Sequence, residues 1–256
     1  MTANEFKEQL NKEYPYRIEL HAHTKPQSHC SEILPEELAE TYKKLGYDGV
    51  CVTNHFMGYN RHIDSEYMEG ETKEERLEYY LSGYKDTKKA GEKLGIKVYL
   101  GLEIRFSKEN ENDYLIYGVD DEITSVCYDN FGEDLAYFRK NVHLPKSVFI
   151  QAHPMRGGME QVDPELLDGM ETFNMHPGHN ASIGKVVRYA KENNLKITTA
   201  GGDYHHKNRG HEGVSALRTK VLPEDSFELA EILKSGDYLF DISGNIVIPY
   251  NFQGEL

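Results

Sequence analysis

The sequence predicts an α/β fold built on a parallel sheet or barrel, and three observations carry that reading. Short apolar runs bounded by turn residues alternate with helical patterns along most of the chain, an order that favours parallel strands over an antiparallel sandwich. The length of 256 residues suits one α/β barrel, which typically needs about 250. No fixed-period repeat, low-complexity tract or long Pro/Gly linker interrupts it, so residues 1–256 are expected to form a single domain.

Each element follows from local chemistry. The run YRIEL from Tyr16 to His21 reads as the first strand, and PEELAETYKKLG, opened by Pro35 and closed by Gly46, as a helix. DGVCVTNH is a buried strand with its polar residues at the end. A long charged helix is expected from Thr72 to about Leu94, with Gly95 as its stop. IKVYLGLEIRF, NDYLIYGV, KSVFIQAHP, GMETFNMH and LKITTAGGDYHH complete seven strand-like runs. HNASIGKVVRYAKENN, between the last two, is a helix capped at Asn180 or a neighbour. PEDSFELAEILKSG then reads as a helix, and DYLFDI and NIVIPY as short strands.

Composition narrows the function. With 29 basic and 43 acidic residues the net charge is −14, and the mean hydropathy is −0.67. That balance argues against a general basic surface for a phosphate backbone, and no basic, aromatic-interleaved stripe marks a nucleic-acid channel. No apolar stretch approaches the roughly 18 residues of a membrane span, and the opening MTANEFKEQLNKEY has no apolar signal region. A soluble, cytoplasmic protein is expected. Cys30, Cys51 and Cys127, an odd number at wide spacing, fit reduced thiols.

The twelve histidines are the unusual feature. His21 and His23 form H-A-H at the end of the first strand, where alternate residues point to one side and can reach one metal. His29 follows in the next loop. The second strand ends at His55, the third carries Glu103, and the fifth ends at His153. The sixth leads into Asn174, His176 and His179, and the seventh into Asp203 and His205. Ligands bind at the carboxyl ends of strands in such folds, and every predicted strand except the fourth delivers a metal-capable side chain there. A lone strand-end histidine is usually a hydrogen-bonded structural residue; the set as a whole reads as a metal cluster. Glu103, inside an otherwise apolar strand, is costly to bury unless a cation or proton compensates it. His62 and His143 read as solvated, His206 and His211 as supporting or surface residues, and Cys30 as a small packed thiol.

In order, HAHTKPQSHC, VTNH, GLEI, QAHP and GGDYHH resemble the successive motifs of the PHP (polymerase and histidinol phosphatase) superfamily, over roughly residues 16 to 215. The resemblance implies a distorted (β/α)7 barrel with up to three metals at the carboxyl ends of the strands. By that resemblance His21, His23, Glu103 and Asp203 hold one metal, Glu103 bridges to a second shared with His153, and His29, His55 and His205 hold a third. The chain departs from the pattern after the fourth strand, where many relatives supply a histidine to the second metal and this one reads NDYLIYGVDDE, placing Asp120 and Asp121 near that position; either Asp120 substitutes with oxygen or the second metal is weakly held. Asn54 in VTNH also replaces a more usual aspartate.

Nitrogen and carboxylate ligands suit manganese, iron or zinc, and two or three such ions can activate water against phosphorus. Arg156 in HPMRGG is the candidate to grip the substrate phosphate through its planar fork. His179 in MHPGHN is the candidate to contact phosphate or protonate the leaving group, with His176 competing for either task. Glu103 and Asp203 complete the expected catalytic set. The expectation is a metal-dependent phosphoesterase acting on a small phosphomonoester. The alternatives are an L-histidinol phosphate phosphatase, a short-strand nuclease or phosphodiesterase, and a non-catalytic metal-binding scaffold. Oligomeric state is not encoded in these features.

Overall fold

A computed structural model describes residues 1–57, 70–106 and 110–255; His62 lies outside them. In chain order the elements are α1 (Ala3–Glu13), β1 (Tyr16–Ala22), α2 (Pro35–Lys44), β2 (Gly49–Val52), β3 (His55–Met57), α3 (Lys73–Leu94), β4 (Lys97–Leu100), β5 (Leu102–Arg105) and β6 (Tyr114–Tyr117). They continue as α4 (Asp121–Asn130), α5 (Leu135–Asn141), β7 (Val148–Gln151), β8 (Gly169–Asn174), α6 (Ile183–Glu192), β9 (Ile197–Gly201), β10 (Ser215–Thr219), α7 (Ser226–Ser235), β11 (Leu239–Ile242) and β12 (Asn245–Val247).

The strands form two six-stranded sheets, ordered β12-β11-β10-β1-β2-β4 and β3-β5-β6-β7-β8-β9. Pairing is parallel along β1-β2-β4, between β3 and β5, and along β7-β8-β9. Strand β6 runs antiparallel to both its neighbours, as β10 does to β1. Two runs read as single strands are each divided between the sheets: DGVCVTNH into β2 and β3, and IKVYLGLEIRF into β4 and β5. Gly101 makes the second division possible, because a Cβ there would lie 2.8 Å from Cys51 Sγ. The sheets meet again through a parallel bridge between Ala22 and Tyr204.

Between the sheets lies an apolar core drawn from both, including Ile18, Leu20, Tyr99, Leu115, Ile150 and Leu217. Helices cover the outer faces: Leu38, Ala39 and Tyr42 of α2 pack with Val50 and Val98, while Tyr80, Cys127, Phe138 and Val186 pack with Ile104, Tyr114 and Phe149. The long helix α3 begins as its sequence predicts, with Thr72 Oγ1 accepting the Glu75 N–H and the Glu75 carboxylate accepting that of Thr72. It ends at Gly95 in the left-handed region, φ 68°. Helix α6 starts later than expected, after Ser182 at φ 49°, while Asn180 Oδ1 accepts the Ser182 N–H.

Candidate metal centre

Parallel pairing brings the strand ends to one place. His55 of β3 lies in register with Glu103 of β5, and the Ala22–Tyr204 bridge sets His21 and His23 beside Asp203 and His205. That close approach needs a glycine: a Cβ at Gly201 would lie 2.4 Å from both Glu171 Oε1 and His21 Cβ. His153 and Asp203 follow their strands at φ 29° and 51°, left-handed values that cost on the order of 1–3 kcal/mol each and persist where surrounding bonds dictate them. The His153 N–H donates to Glu171 Oε2, and Asn174 Nδ2 donates to Asp203 Oδ2.

Three groups of side chains have ligand atoms close enough to hold an ion: His21, His23 and Asp203; His23, His55 and His205; and Glu103, Asp113 and His153. His21 Nε2 lies 3.4 Å from Glu103 Oε1 and 3.5 Å from Asp203 Oδ1. His23 Nε2 is 3.4 Å from both Glu103 Oε2 and Asp203 Oδ1. Despite these distances, the Nε2 atoms of His21 and His23 are buried without a hydrogen bond among the described residues. Buried polar atoms converging in this way are costly alone, and a cation among them removes the cost. In the second group His205 Nδ1 lies 2.9 Å from the Asp203 carbonyl oxygen, and Nε2 of His205 and His55 face each other at 3.4 Å. The donor set therefore fits divalent ions that accept nitrogen and carboxylate oxygen.

Electrostatics follow the same geometry. Burial opposes charge on His21, yet Glu171, Asp203 and Glu103 raise its pKa well above the ordinary value. Burial, reinforced by His205 and His55, lowers that of His23 well below it. Burial alone would raise the pKa values of Glu103 and Asp203, but the surrounding imidazoles hold both far below the usual carboxylate range. Both remain anionic, as a cation site requires.

The remaining candidates sort by position. His179 Nδ1 is 3.5 Å from Asp203 Oδ2, and the His176 ring stacks on His179 with centroids 4.0 Å apart. Arg156 Nη2 lies 3.4 Å from Asp113 Oδ2. Arg156, His176 and His179 line one cleft of about 230 Å³ with His55, Asp203 and His205. His176 and His179 also border an adjoining cleft of about 1070 Å³ that extends along α6 past Lys185 and Arg188. His29 is exposed on the loop after β1 and belongs to none of the three groups among the described residues. His143 is exposed, His206 sits 3.6 Å from Glu32, and buried His211 accepts the His205 N–H through Nε2.

Two readings are corrected. Asp120 is not a substitute ligand: it is exposed and caps α4, with its carboxylate accepting the Ile123 N–H. Because β6 runs antiparallel, its starting end faces the site, and Asp113 just before Tyr114 takes the position sought at its finish. Nor is Cys30 a packed thiol; it is exposed at the mouth of the smaller cleft. Burial pushes its pKa up, but neighbouring His205 and His55 bring it down to about 6.

Buried acids supply the support that the sequence reading missed. Glu171 Oε1 lies 2.9 Å from His21 Nδ1, which fixes the proton there and turns Nε2 toward the centre. Glu19 Oε1 accepts the N–H groups of Leu20, His21 and Gly202, and Glu19 Oε2 accepts the Tyr42 hydroxyl.

The PHP domain family model matches residues 19–200, more than half of the chain. No curated protein matches it in sequence. Among solved structures, a two-domain protein of Bacteroides vulgatus ATCC 8482, described as containing a predicted PHP-like metal-dependent phosphoesterase, superposes with a TM-score of 0.60 at 13% identity. The match covers 90% of this chain and spans 66% of that one. A protein of Bifidobacterium adolescentis ATCC 15703, assigned as a metal-dependent phosphoesterase, gives a TM-score of 0.50 at 18% identity over 84% of this chain and 95% of its own. PsfC of Pseudomonas syringae PB-5123 gives 0.54 at 13% identity, over 84% and 87%. These likenesses concern the fold. The family match and the ordered strand-end ligands together show that the chain belongs to the PHP domain family.

Proposed function

We propose that this chain is a metal-dependent phosphoesterase that hydrolyses a small phosphomonoester in the cytoplasm, on one domain of distorted (β/α)7 barrel type spanning residues 1–256. The supporting observation is that the buried Nε2 atoms of His21 and His23, without a hydrogen bond among the described residues, converge on Glu103 and Asp203 next to a cleft bordered by Arg156 and His179. His21, His23, Glu103 and Asp203 would hold one ion, and His55 and His205 another, to which family resemblance adds His29. The same resemblance would add a further ion between Glu103 and His153. Two or three divalent ions of manganese, iron or zinc would polarise a phosphoryl oxygen, lower the pKa of a water and offset the negative charge of the chain at the site.

The side chains divide the remaining work. Arg156 reaches the cleft and offers its planar fork to two phosphate oxygens. Burial lowers the pKa of His176 to about 3, so its ring is neutral at pH 7. Its Nδ1 accepts the Gly178 N–H, which leaves the proton on Nε2 as a donor to phosphate. His179, beside Asp203, can hold a proton and pass it to the departing alkoxide. Among the described residues no helix is long and apolar enough to cross a membrane.

Replacing Glu103 by Gln tests the reading. Fully buried Glu103 lies 2.7 Å from His55 Nδ1 and 3.0 Å from His153 Nε2. At matched metal occupancy, phosphate release from a panel of nucleotide, sugar and histidinol phosphates should fall by about 10²-fold or more, the scale of removing one preorganised electrostatic contact. Unchanged release would overturn the role given to Glu103.

A further inference from the structure

The three ligand groups are not alike. Around Glu103, Asp113 and His153 two guanidinium groups already stand where a cation would bind. The register that pairs Ile104 with Tyr114 sets Arg105 opposite Asp113. Arg105 Nε donates to Asp113 Oδ1 at 2.7 Å and Nη2 to Oδ2 at 2.8 Å, so the carboxylate is gripped at both oxygens. Arg105 Nη1 also donates to Glu111 Oε2 at 3.0 Å. Asp113 Oδ2 and His153 Nε2 lie 3.7 Å apart, and the Arg156 fork straddles them, with Nη2 at 3.4 Å from the first and Nη1 at 3.5 Å from the second. An ion held by these two atoms would need the space that fork occupies.

We infer that this corner is a phosphate clamp and not a third metal seat: Arg105 fixes Asp113, Asp113 holds Arg156, and Arg156 presents its guanidinium to a phosphoryl group. The centre then holds two ions, shared among His21, His23, His55, Glu103, Asp203 and His205. This rests on the phosphoesterase reading for the identity of the anion. Asp113 and Arg105 are positioning residues in this arrangement, and Arg156 touches the substrate. The charges agree, because the Asp113 carboxylate is already paired with two guanidinium groups, and a divalent ion seated on it would lie against both fixed cations.

The experiment measures bound metal by plasma mass spectrometry on the manganese-loaded, desalted 256-residue chain, and orthophosphate binding to it by calorimetry. Wild type, Asp113→Asn and Arg156→Ala should each hold two equivalents of manganese, while orthophosphate binds at least tenfold more weakly to both variants. The double variant should be no weaker than Asp113→Asn alone, because both act through one guanidinium. Asp113 is 1% exposed, so a variant that fails to fold is replaced by Arg105→Lys, which keeps the charge and loses the fork. It should bind phosphate more weakly at an unchanged metal count. Three equivalents in the wild type, or one lost from Asp113→Asn or Arg105→Lys, overturns the clamp. Phosphate affinity untouched by Arg156→Ala overturns it as well. Two equivalents with tight orthophosphate binding but no ester hydrolysis would support the clamp while sinking the phosphoesterase reading, so the two fail separately.

Discussion

Glu171→Gln probes how the buried acids tune the metal ligands. Glu171 is 1% exposed, with Oε1 at 2.9 Å from His21 Nδ1, and Oε2 accepting the His153 N–H and Asn174 Nδ2, both also at 2.9 Å. A glutamine has one acceptor oxygen where the carboxylate has two. If that oxygen faces His21, the amide NH2 confronts two donors, and an unpaired buried donor costs about 1–3 kcal/mol. In the flipped orientation the NH2 faces His21 Nδ1 and drives the imidazole proton to Nε2, the atom that must be bare to ligate. Either orientation removes the charge that helps raise the His21 pKa. Loss of such a supporting group typically costs about 10–100-fold in metal affinity, or roughly 1.4–2.8 kcal/mol. Manganese affinity is measured by competition with a chelating dye, and stability by urea unfolding of the stripped protein. Wild-type values for both would refute the assignment of Glu171.

Further outcomes follow from the same structure. Gly201→Ala places a methyl 2.4 Å from Glu171 Oε1 and His21 Cβ, so urea unfolding should show a loss of about 1–3 kcal/mol. Gly184→Ala, which meets nothing within 4 Å in α6, should instead stabilise by roughly 0.5–1 kcal/mol. In the stripped protein, burial opposes charge on His55 and His205, yet Glu103 and Asp203 raise their pKa values to about 10 and about 9. Both are protonated at neutral pH, so an ion that binds them releases protons, and affinity should rise up to about 100-fold per pH unit between pH 7 and 9. The same raised values stabilise the stripped fold fully below the unfolded-state pKa of about 6.5, and that contribution fades as pH climbs through the folded values. A chelator titration with no pH slope, or stripped protein whose urea midpoint does not fall between pH 7 and 10, would contradict these assignments.

What could be read from the sequence was chemistry carried at strand ends. His21, His23, His55, His153, Asp203 and His205 stand where apolar runs stop, and parallel pairing converts that ordering into proximity. Strand direction was not legible: NDYLIYGV has the same composition read either way, and only pairing against β5 and β7 reveals that Asp113, not Asp120, faces the centre. Nor could periodicity show that the runs around Thr53–Asn54 and Gly101 divide between two sheets. Glu19 in YRIEL and Glu171 in GMETFN carried a usable signal. Each is a lone acid inside an apolar strand, and the burial cost that singled out Glu103 applies equally to both. The antiparallel β10 and helices α4 and α5 went unread, although Asp120 and Asp134 begin the two helices with carboxylates that accept the Ile123 and Tyr137 N–H groups.

The central claim is that the strand-end cluster holds divalent ions and that these ions, with Arg156 and His179, hydrolyse a phosphomonoester. The most direct measurement is phosphate release from the ester panel by manganese-loaded protein, repeated after chelation and after manganese is restored. The account predicts release that disappears on chelation and returns with the metal. Metal-replete protein that releases no phosphate from any ester in the panel, or releases it equally well when stripped, would contradict it.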